Sequence, residues 1–273
     1  MKLLSVFAVS AALLFLAPPA VAQISGDDAK ALATVIAGDH REAKNSARDI
    51  YRHPLETLSF LGLRPDMTVV EIYPGGGWYT EILAPYLNKK GRYYAASWVR
   101  DSKNPRIQKA LQRYHAKLVA RPDLYGATIV TELSRDKTNM APAGSADMVL
   151  TFRNVHNWMK RGYDAIIFGA MYKALKPGGV LGLVEHRGDA EDFQDPQALS
   201  GYVNQDHAIE LAEAAGFKFV GSSEINANAK DSRKHPKGVW TLPPSLRLKD
   251  KDREKYLAIG ESDRMTLKFI KPE

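Results

Sequence analysis

Three short stretches of this 273-residue chain carry side chains whose types and spacing suit chemistry. The first is Glu71-Ile72-Tyr73-Pro74-Gly75-Gly76-Gly77, which directly follows a β-branched run. Glycines in that place let a backbone approach a bound nucleotide closely and adopt φ angles that other residues resist, which makes Gly75 and Gly77 the key positions. Such a turn also serves dehydrogenases, flavoproteins and plain tight turns. Thr80 stands where the dinucleotide fingerprint has its third glycine, which disfavours a pyrophosphate binder. The second stretch is Phe152-Arg153-Asn154-Val155-His156-Asn157-Trp158. Its histidine has an ordinary pKa close to neutrality and so suits proton removal from an attacking oxygen or nitrogen, although a packed aromatic loop around a hydrogen-bonded histidine reads equally well. The third, Glu185-His186-Arg187, sets an acid, a base and a cation side by side. His156, Glu185 and His186 match no recognised metal-ligand spacing, so no metal is expected. The chain has no cysteine, which excludes disulfides, thiolate zinc sites and a cysteine nucleophile; histidines and carboxylates must carry any polar chemistry.

These groups need strands and helices to position them. A polar helical lead-in is expected from Asp27 to about Arg48, and a second helix follows His53 with Leu55, Leu58 and Leu61 on one face before Gly62 ends it. Thr68 to Tyr73 reads as a buried strand and Trp78 to Leu87 as the helix after the glycine turn. Arg92 to Trp98 is a second strand; Asn104 then caps a helix that has Pro105 at its first position. Ala127 to Leu133 and Asp147 to Phe152 are further strands. Tyr163 to Leu175 is a helix stopped by Lys176-Pro177-Gly178-Gly179, and Val180 to Glu185 is the fifth strand. Gln205 to Ala215 supplies a helix on which His207 is a surface or packing residue; Phe217 to Ser222 and Met265 to Ile270 complete seven strands. Strands alternating with helices at this spacing predict an α/β fold with a Rossmann-like, mostly parallel seven-stranded sheet and helices on both faces. The insertion of about 223–264 between the last two strands is longer than a hairpin needs, and Trp240 and Leu242 favour a folded cover over the active face.

The run from Val69 through Glu71, Gly75 and Gly77 to Thr80 resembles the first motif of class I S-adenosylmethionine-dependent methyltransferases, especially the form in protein-isoaspartate methyltransferases. Lys173 to Leu181 is similar to the helix, Pro-Gly-Gly turn and fifth strand of that class, and Ala143 to Leu150 to its approach to the fourth strand. The three matches stand in the right order over roughly residues 65–220, and the leader described below makes the chain similar to an exported group of predicted methyltransferases. The resemblance implies S-adenosylmethionine as cofactor, with Glu71 facing its amino acid part and Gly75 and Gly77 beneath the ribose and methionine portion. Tyr73 stands at the family's first glycine. The family's ribose-binding acid at the end of the second strand is replaced by Ser97 and Trp98; Asp101 could reach back from its loop or serve as a turn residue. Asp136 loosely matches the adenine-side acid. Asn154 would touch the cofactor, with His156, Asn157 and Trp158 toward the substrate and Glu185 and His186 completing the catalytic set.

Composition bounds the rest. Met1 to Ala22 has one charge at Lys2, an apolar run from Leu3 to Ala17 and the end Ala20-Val21-Ala22, the order a signal peptidase reads. Its apolar run is short for a span of about 20 residues. Cleavage before Gln23 is expected, which gives an exported, periplasmic chain with one methyltransferase domain over 23–273 and no integral membrane segment. A net charge of +7, with its lysines and arginines scattered, reads as a solvated basic surface, and no nucleic-acid partner is expected. The sequence implies a small-molecule substrate and leaves the methyl acceptor and the oligomeric state open. Methyl transfer to a small or medium-sized acceptor stands beside an exported, non-catalytic ligand-binding protein on the same fold. Nicotinamide-dependent oxidoreduction falls on the turn pattern.

Overall fold

The computed structural model describes residues 24–273. The leader and its cleavage site lie outside the described residues. In chain order the elements are α1 (Gly26–Ile36), α2 (Ala43–Ser46), α3 (Asp49–Arg52), α4 (Pro54–Leu61), β1 (Thr68–Ile72), α5 (Thr80–Leu87), β2 (Arg92–Ser97), α6 (Pro105–Ala120) and α7 (Pro122–Tyr125). There follow β3 (Ile129–Glu132), β4 (Ala146–Phe152), α8 (Val155–Met159), α9 (Asp164–Ala174), β5 (Leu175–His186), α10 (Gln205–Ala214), β6 (Lys218–Ser223), β7 (Pro236–Val239), α11 (Arg253–Ile259) and β8 (Arg264–Ile270). No helix among the described residues is long and apolar enough to cross a membrane.

Seven strands form one sheet in the order β3-β2-β1-β4-β5-β8-β6. β1 to β5 pair in parallel, while β8 runs antiparallel to both β5 and β6, so the sheet is mixed rather than uniformly parallel. Strand alternation divides the core between the two faces. Val70, Ile72, Val149, Leu181, Leu183 and Phe269 pack with Trp158, Phe168 and Met171 of α8 and α9 on one face. On the other, Val69, Met148, Leu150 and Phe152 meet Leu58, Leu61, Ile82, Leu83 and Tyr114. Glu71 lies between Val70 and Ile72 in β1, so its side chain is directed to this second face.

Local chemistry sets the element ends. Asn104 accepts a hydrogen bond from the Arg106 amide at 2.9 Å and caps α6, with Pro105 at the first helical position where no amide is missed. α4 closes on Gly62, whose φ of 85° returns its amide to Leu58 and Ser59 carbonyls. The lead-in departs from one continuous helix: α1 stops at Ile36, and Arg41 donates to the Ile36 carbonyl at 3.0 Å while pairing with Asp49 at 2.5 Å. That side chain satisfies the helix end, and α2 and α3 start anew beyond it. β5 likewise begins at Leu175, in extended backbone and paired with Ala146, so the Pro-Gly-Gly segment belongs to the strand's span.

Residues 223–264 hold β7, α11 and the buried Asn226, Asp231, Leu242, Tyr256, Glu261 and Asp263. Asn226 donates to Thr57 of α4 at 2.9 Å and to Thr266 of β8 at 2.8 Å. Arg48 donates to Glu261 at 2.5 Å. The N-terminal helices and this late segment therefore meet each other.

Candidate active site

The parallel strands β1, β4 and β5 run side by side, and their carboxyl ends carry the functional side chains, where open α/β sheets form their crevice. Past β1 the chain turns at Tyr73, Gly75 and Gly77, with φ of 48°, 62° and 82°. A side chain at Gly75 would meet only the Tyr73 carbonyl, 3.9 Å away, so the space there is open, whereas one at Gly77 would press on the Lys117 side chain at 2.8 Å. Tyr73 spends its conformational strain at the crevice: its ring stacks on Trp98 with centroids 5.4 Å apart and its hydroxyl donates to the Leu133 carbonyl. Tyr73 and Trp98 thus form an aromatic wall at the ends of β1 and β2.

Glu71 is 3% exposed and accepts a short hydrogen bond from the Tyr93 hydroxyl, which also meets Thr80 at 2.9 Å; Thr80 in turn meets Tyr114 at 3.0 Å. Burial pushes the Glu71 carboxyl up to about 7, against the opposing pull of Tyr93, Arg153 and Arg52. Ser97 is buried at the end of β2, and its carbonyl accepts from the Leu133 amide. Asp136 is exposed in a turn whose amides are held by the Ser134 hydroxyl, and Asp101 is exposed as well. Neither acid is drawn into the strand-end cluster. Asn154 is half-buried and donates to the Ile72 carbonyl and the Thr151 hydroxyl, each at 3.2 Å, tying the ends of β1 and β4 together.

His156, on α8, lies 5% exposed against Glu185 at the end of β5. Its Nδ1 is 3.0 Å from Glu185 Oε1, and Asn157 Nδ2 is 2.9 Å from its Nε2. The amide can only donate, so Nε2 is the acceptor and Nδ1 bears the proton given to Glu185. This is a histidine oriented by a carboxylate, the arrangement that fits a general base. Glu185 also accepts from the His186 amide at 2.8 Å. His186 Nδ1 lies 2.5 Å from the Ser262 hydroxyl, and burial, then His156 and the arginines 264, 153 and 52, push its pKa well below the usual histidine range. Trp240, from the late segment, approaches the His156 ring edge-on at 5.9 Å.

One ligand atom from each of His156, Glu185 and His186 lies within 4.8 Å of the others, close enough to hold a cation. Both His156 nitrogens and His186 Nδ1 already have partners, however, and the charges of Arg264, Arg153 and Arg52 disfavour added positive charge at His186. A dication would meet that field unfavourably; an acid–base pair fits it better.

The arginines are the part of the site the sequence motifs did not mark. Arg153 follows Phe152 with a φ of 61°, Arg52 lies 4.6 Å over the Trp78 ring, and Arg264 pairs with Glu261. A charged residue immediately after the mostly apolar β4 was the one available signal, at Arg153. His207 lines a separate cleft of about 890 Å³ beside α10, with Arg187, Gln194, Glu210 and Arg233. Neither the glycine turn nor His156 borders that cleft, so the strand ends define the candidate site.

No protein-family model matches the chain, and no curated protein matches its sequence. Solved structures do match in shape. An S-adenosylmethionine-dependent methyltransferase from Aquifex aeolicus superposes with a TM-score of 0.56 at 14% identity, covering 89% of this chain and 98% of its own. An arsenic(III) S-adenosylmethionine methyltransferase from Chlamydomonas reinhardtii gives 0.50 at 13% identity over 89% of this chain and 73% of its own. The cyclase SpnF gives 0.55 at 13% identity over 90% and 94%. With the sheet order and the strand-end crevice, these likenesses give the chain the fold of the class I S-adenosylmethionine-dependent methyltransferases.

Proposed function

We propose that this chain transfers a methyl group from S-adenosylmethionine to a small or medium-sized acceptor. The observation that carries the reading is the placement, on adjoining strand ends, of an open glycine turn beside a buried carboxylate and of a histidine oriented by a second carboxylate. The residues fit the cofactor: the space above Gly75 is open, and Glu71 supplies an acid at the end of β1. Gly75 and Gly77 would lie beneath it, with Ser97, Trp98 and Asn154 along the crevice and Asp136 at the outer, adenine side.

S-adenosylmethionine supplies a methyl carbon on a positively charged sulfur, and the acceptor's lone pair bonds that carbon as the carbon–sulfur pair leaves with sulfur. Glu71, when ionised, offsets the positive charge of the amino acid end. Asn154 fixes the gap between β1 and β4 and keeps its carbonyl oxygen free to accept. His156 takes the acceptor's proton at Nε2 once Asn157 yields that position, and Glu185 holds the opposite N–H and stabilises the imidazolium formed. His186 would support this pair through its neighbour Glu185. Trp240 closes over the histidine and limits water, so alignment supplies much of the rate.

The test is transfer of labelled methyl from S-adenosylmethionine to a panel of oxygen and nitrogen nucleophiles. His156→Ala should lower turnover by about 10²-fold or more while cofactor affinity stays nearly intact. Full turnover in that variant removes the base. One observation favours a second reading, a non-catalytic binder: Tyr73 replaces the first glycine and stacks on Trp98 where an acid would hold the ribose. That reading expects a bound nucleoside and no transfer to any acceptor.

A further inference from the structure

Four arginines from distant parts of the chain lie near the strand ends: Arg153 directly after β4, Arg264 at the start of β8, and Arg48 and Arg52 around α3, joined to Arg264 through Glu261. Glu261 pairs with three of them, Arg48 at 2.5 Å, Arg264 in a tight pair and Arg52 more loosely at 3.8 Å. The other carboxylates nearby are already occupied, Glu71 by Tyr93 and Glu185 by His156. Arg52 is 4% exposed, lies over Trp78, and its Nε has no hydrogen-bond partner. Among the described residues, the Arg153 guanidinium makes no hydrogen bond and no ion pair; only its backbone amide is engaged, by Val184. The buried Arg52 thus has an unsatisfied Nε with Glu261 3.8 Å away, and the half-buried Arg153 guanidinium has no partner among the described residues, so an arriving anion would gain contacts that this part of the chain leaves unfilled.

We propose that Arg52 and Arg153 form an oxyanion subsite that seats a carboxylate or phosphate group of the methyl acceptor. This rests on the methyl-transfer reading for the word acceptor, and on the arginines alone for the anion. Arg153 directly follows β4, which lies between β1 with Glu71 and β5 with Glu185 and His186, and its amide bonds the Val184 carbonyl of β5, so it stands between the cofactor-side acid and the histidine pair. A group bound there would hold the rest of the acceptor against His156. The cofactor does not remove the excess of positive charge. Its single carboxylate is outweighed by an ammonium and a sulfonium, so its arrival makes the crevice more positive. Burial, then Arg264, lowers the Arg153 pKa to about 10, which leaves it charged at neutral pH. Paired N–H donors of guanidinium groups match carboxylate and phosphate oxygens.

Titration calorimetry on the purified chain decides the matter, with inorganic phosphate and benzoate as probes, each with and without saturating S-adenosylhomocysteine. Both anions should bind whether or not the nucleoside is present. Arg153→Met should weaken them by about tenfold or more and leave S-adenosylhomocysteine within about twofold, as expected for loss of one charge-assisted contact. If phosphate is displaced by S-adenosylhomocysteine but not by 5′-methylthioadenosine, which lacks the amino acid part, the arginines hold the cofactor's carboxylate and the proposal is wrong. Absence of saturable anion binding, or equal binding in Arg153→Met and Arg52→Met, also overturns it. These competition experiments need no variant, so they decide even if Arg153→Met fails to fold. Phosphate binding without any binding of S-adenosylhomocysteine would retain the subsite and sink the methyl-transfer reading instead.

Discussion

Glu71 is the residue whose environment makes the most pointed demands. Its carboxyl, ordinarily at 4.5, is pushed up to about 7 by burial, so the folded state prefers it protonated. That preference stabilises the fold below pH 4.5 and is lost as pH rises through about 7, when the folded chain must hold a buried charge. Glu71→Gln keeps the acceptor for Tyr93 and removes the titration. Its stability relative to the parent should rise between pH 5 and pH 8 by on the order of 3 kcal/mol, read from urea denaturation at both values. Parallel pH profiles would contradict the burial argument. The same titration should strengthen S-adenosylmethionine binding from pH 6 to pH 8 in the parent and not in Glu71→Gln, since only the ionised acid attracts the cationic ligand. Asn154→Ala frees the Ile72 carbonyl and loosens the β1–β4 gap; affinity for S-adenosylhomocysteine should fall about fivefold, the worth of one ordinary hydrogen bond.

Among the elements, the glycine turn and the contact between the N-terminal helices and the late segment carry the site. Gly75 has a φ of 62°, and a β-branched residue there would be strained and would fill the open space beneath the ligand. Gly75→Val should retain the fold by circular dichroism and lose S-adenosylhomocysteine binding; unchanged affinity in a folded variant would remove the turn from the cofactor site. Glu261 governs the second contact. Burial alone would raise its carboxyl, but Arg264, Arg48 and Arg52 hold it at about 2. Its stabilisation is present above pH 4.5 and is lost as pH falls toward 2, so acid should loosen the junction of α3 with β8. Glu261→Gln leaves buried arginines unpaired and should cost about 3 kcal/mol or more at pH 7, with the deficit shrinking at pH 3. A deficit unchanged with pH would show that the pairing is not what holds the junction.

The elements with clean local signals were legible in the sequence, among them Val69-Val70 in β1, the Asn104-Pro105 start of α6 and the strands around Leu150 and Leu183. Their apolar runs and caps act over a few residues. The break in the lead-in was not legible, because Arg41 reaches back to Ile36 and across to Asp49 only in the folded state. The antiparallel course of β8 follows from where residues 223–264 deliver the chain, which no strand pattern records. At the site, the strand-end position picked out His156 and Glu185, and their hydrogen bond was beyond it. Arg48 and Glu261, 213 residues apart, give no common signal at all.

Taken whole, the described chain is a single sheet with helices on both faces, whose first helices and late segment close over its strand ends. Removal of Met1 to Ala22 should leave that structure intact, since the described elements begin at Gly26; the thermal melt of residues 23–273 should match that of the full chain. A truncated chain that aggregates as strongly as the unprocessed one would make the leader structural. The fold is shared by methyltransferases and by the cyclase SpnF, so ligand binding is what separates the readings. The most direct test is calorimetry of residues 23–273 with S-adenosylmethionine, S-adenosylhomocysteine and NAD. Methyl transfer at this site requires saturable binding of the first two at one site, abolished by Gly75→Val, and none of NAD. Binding of NAD in their place, or of none of the three, would contradict it.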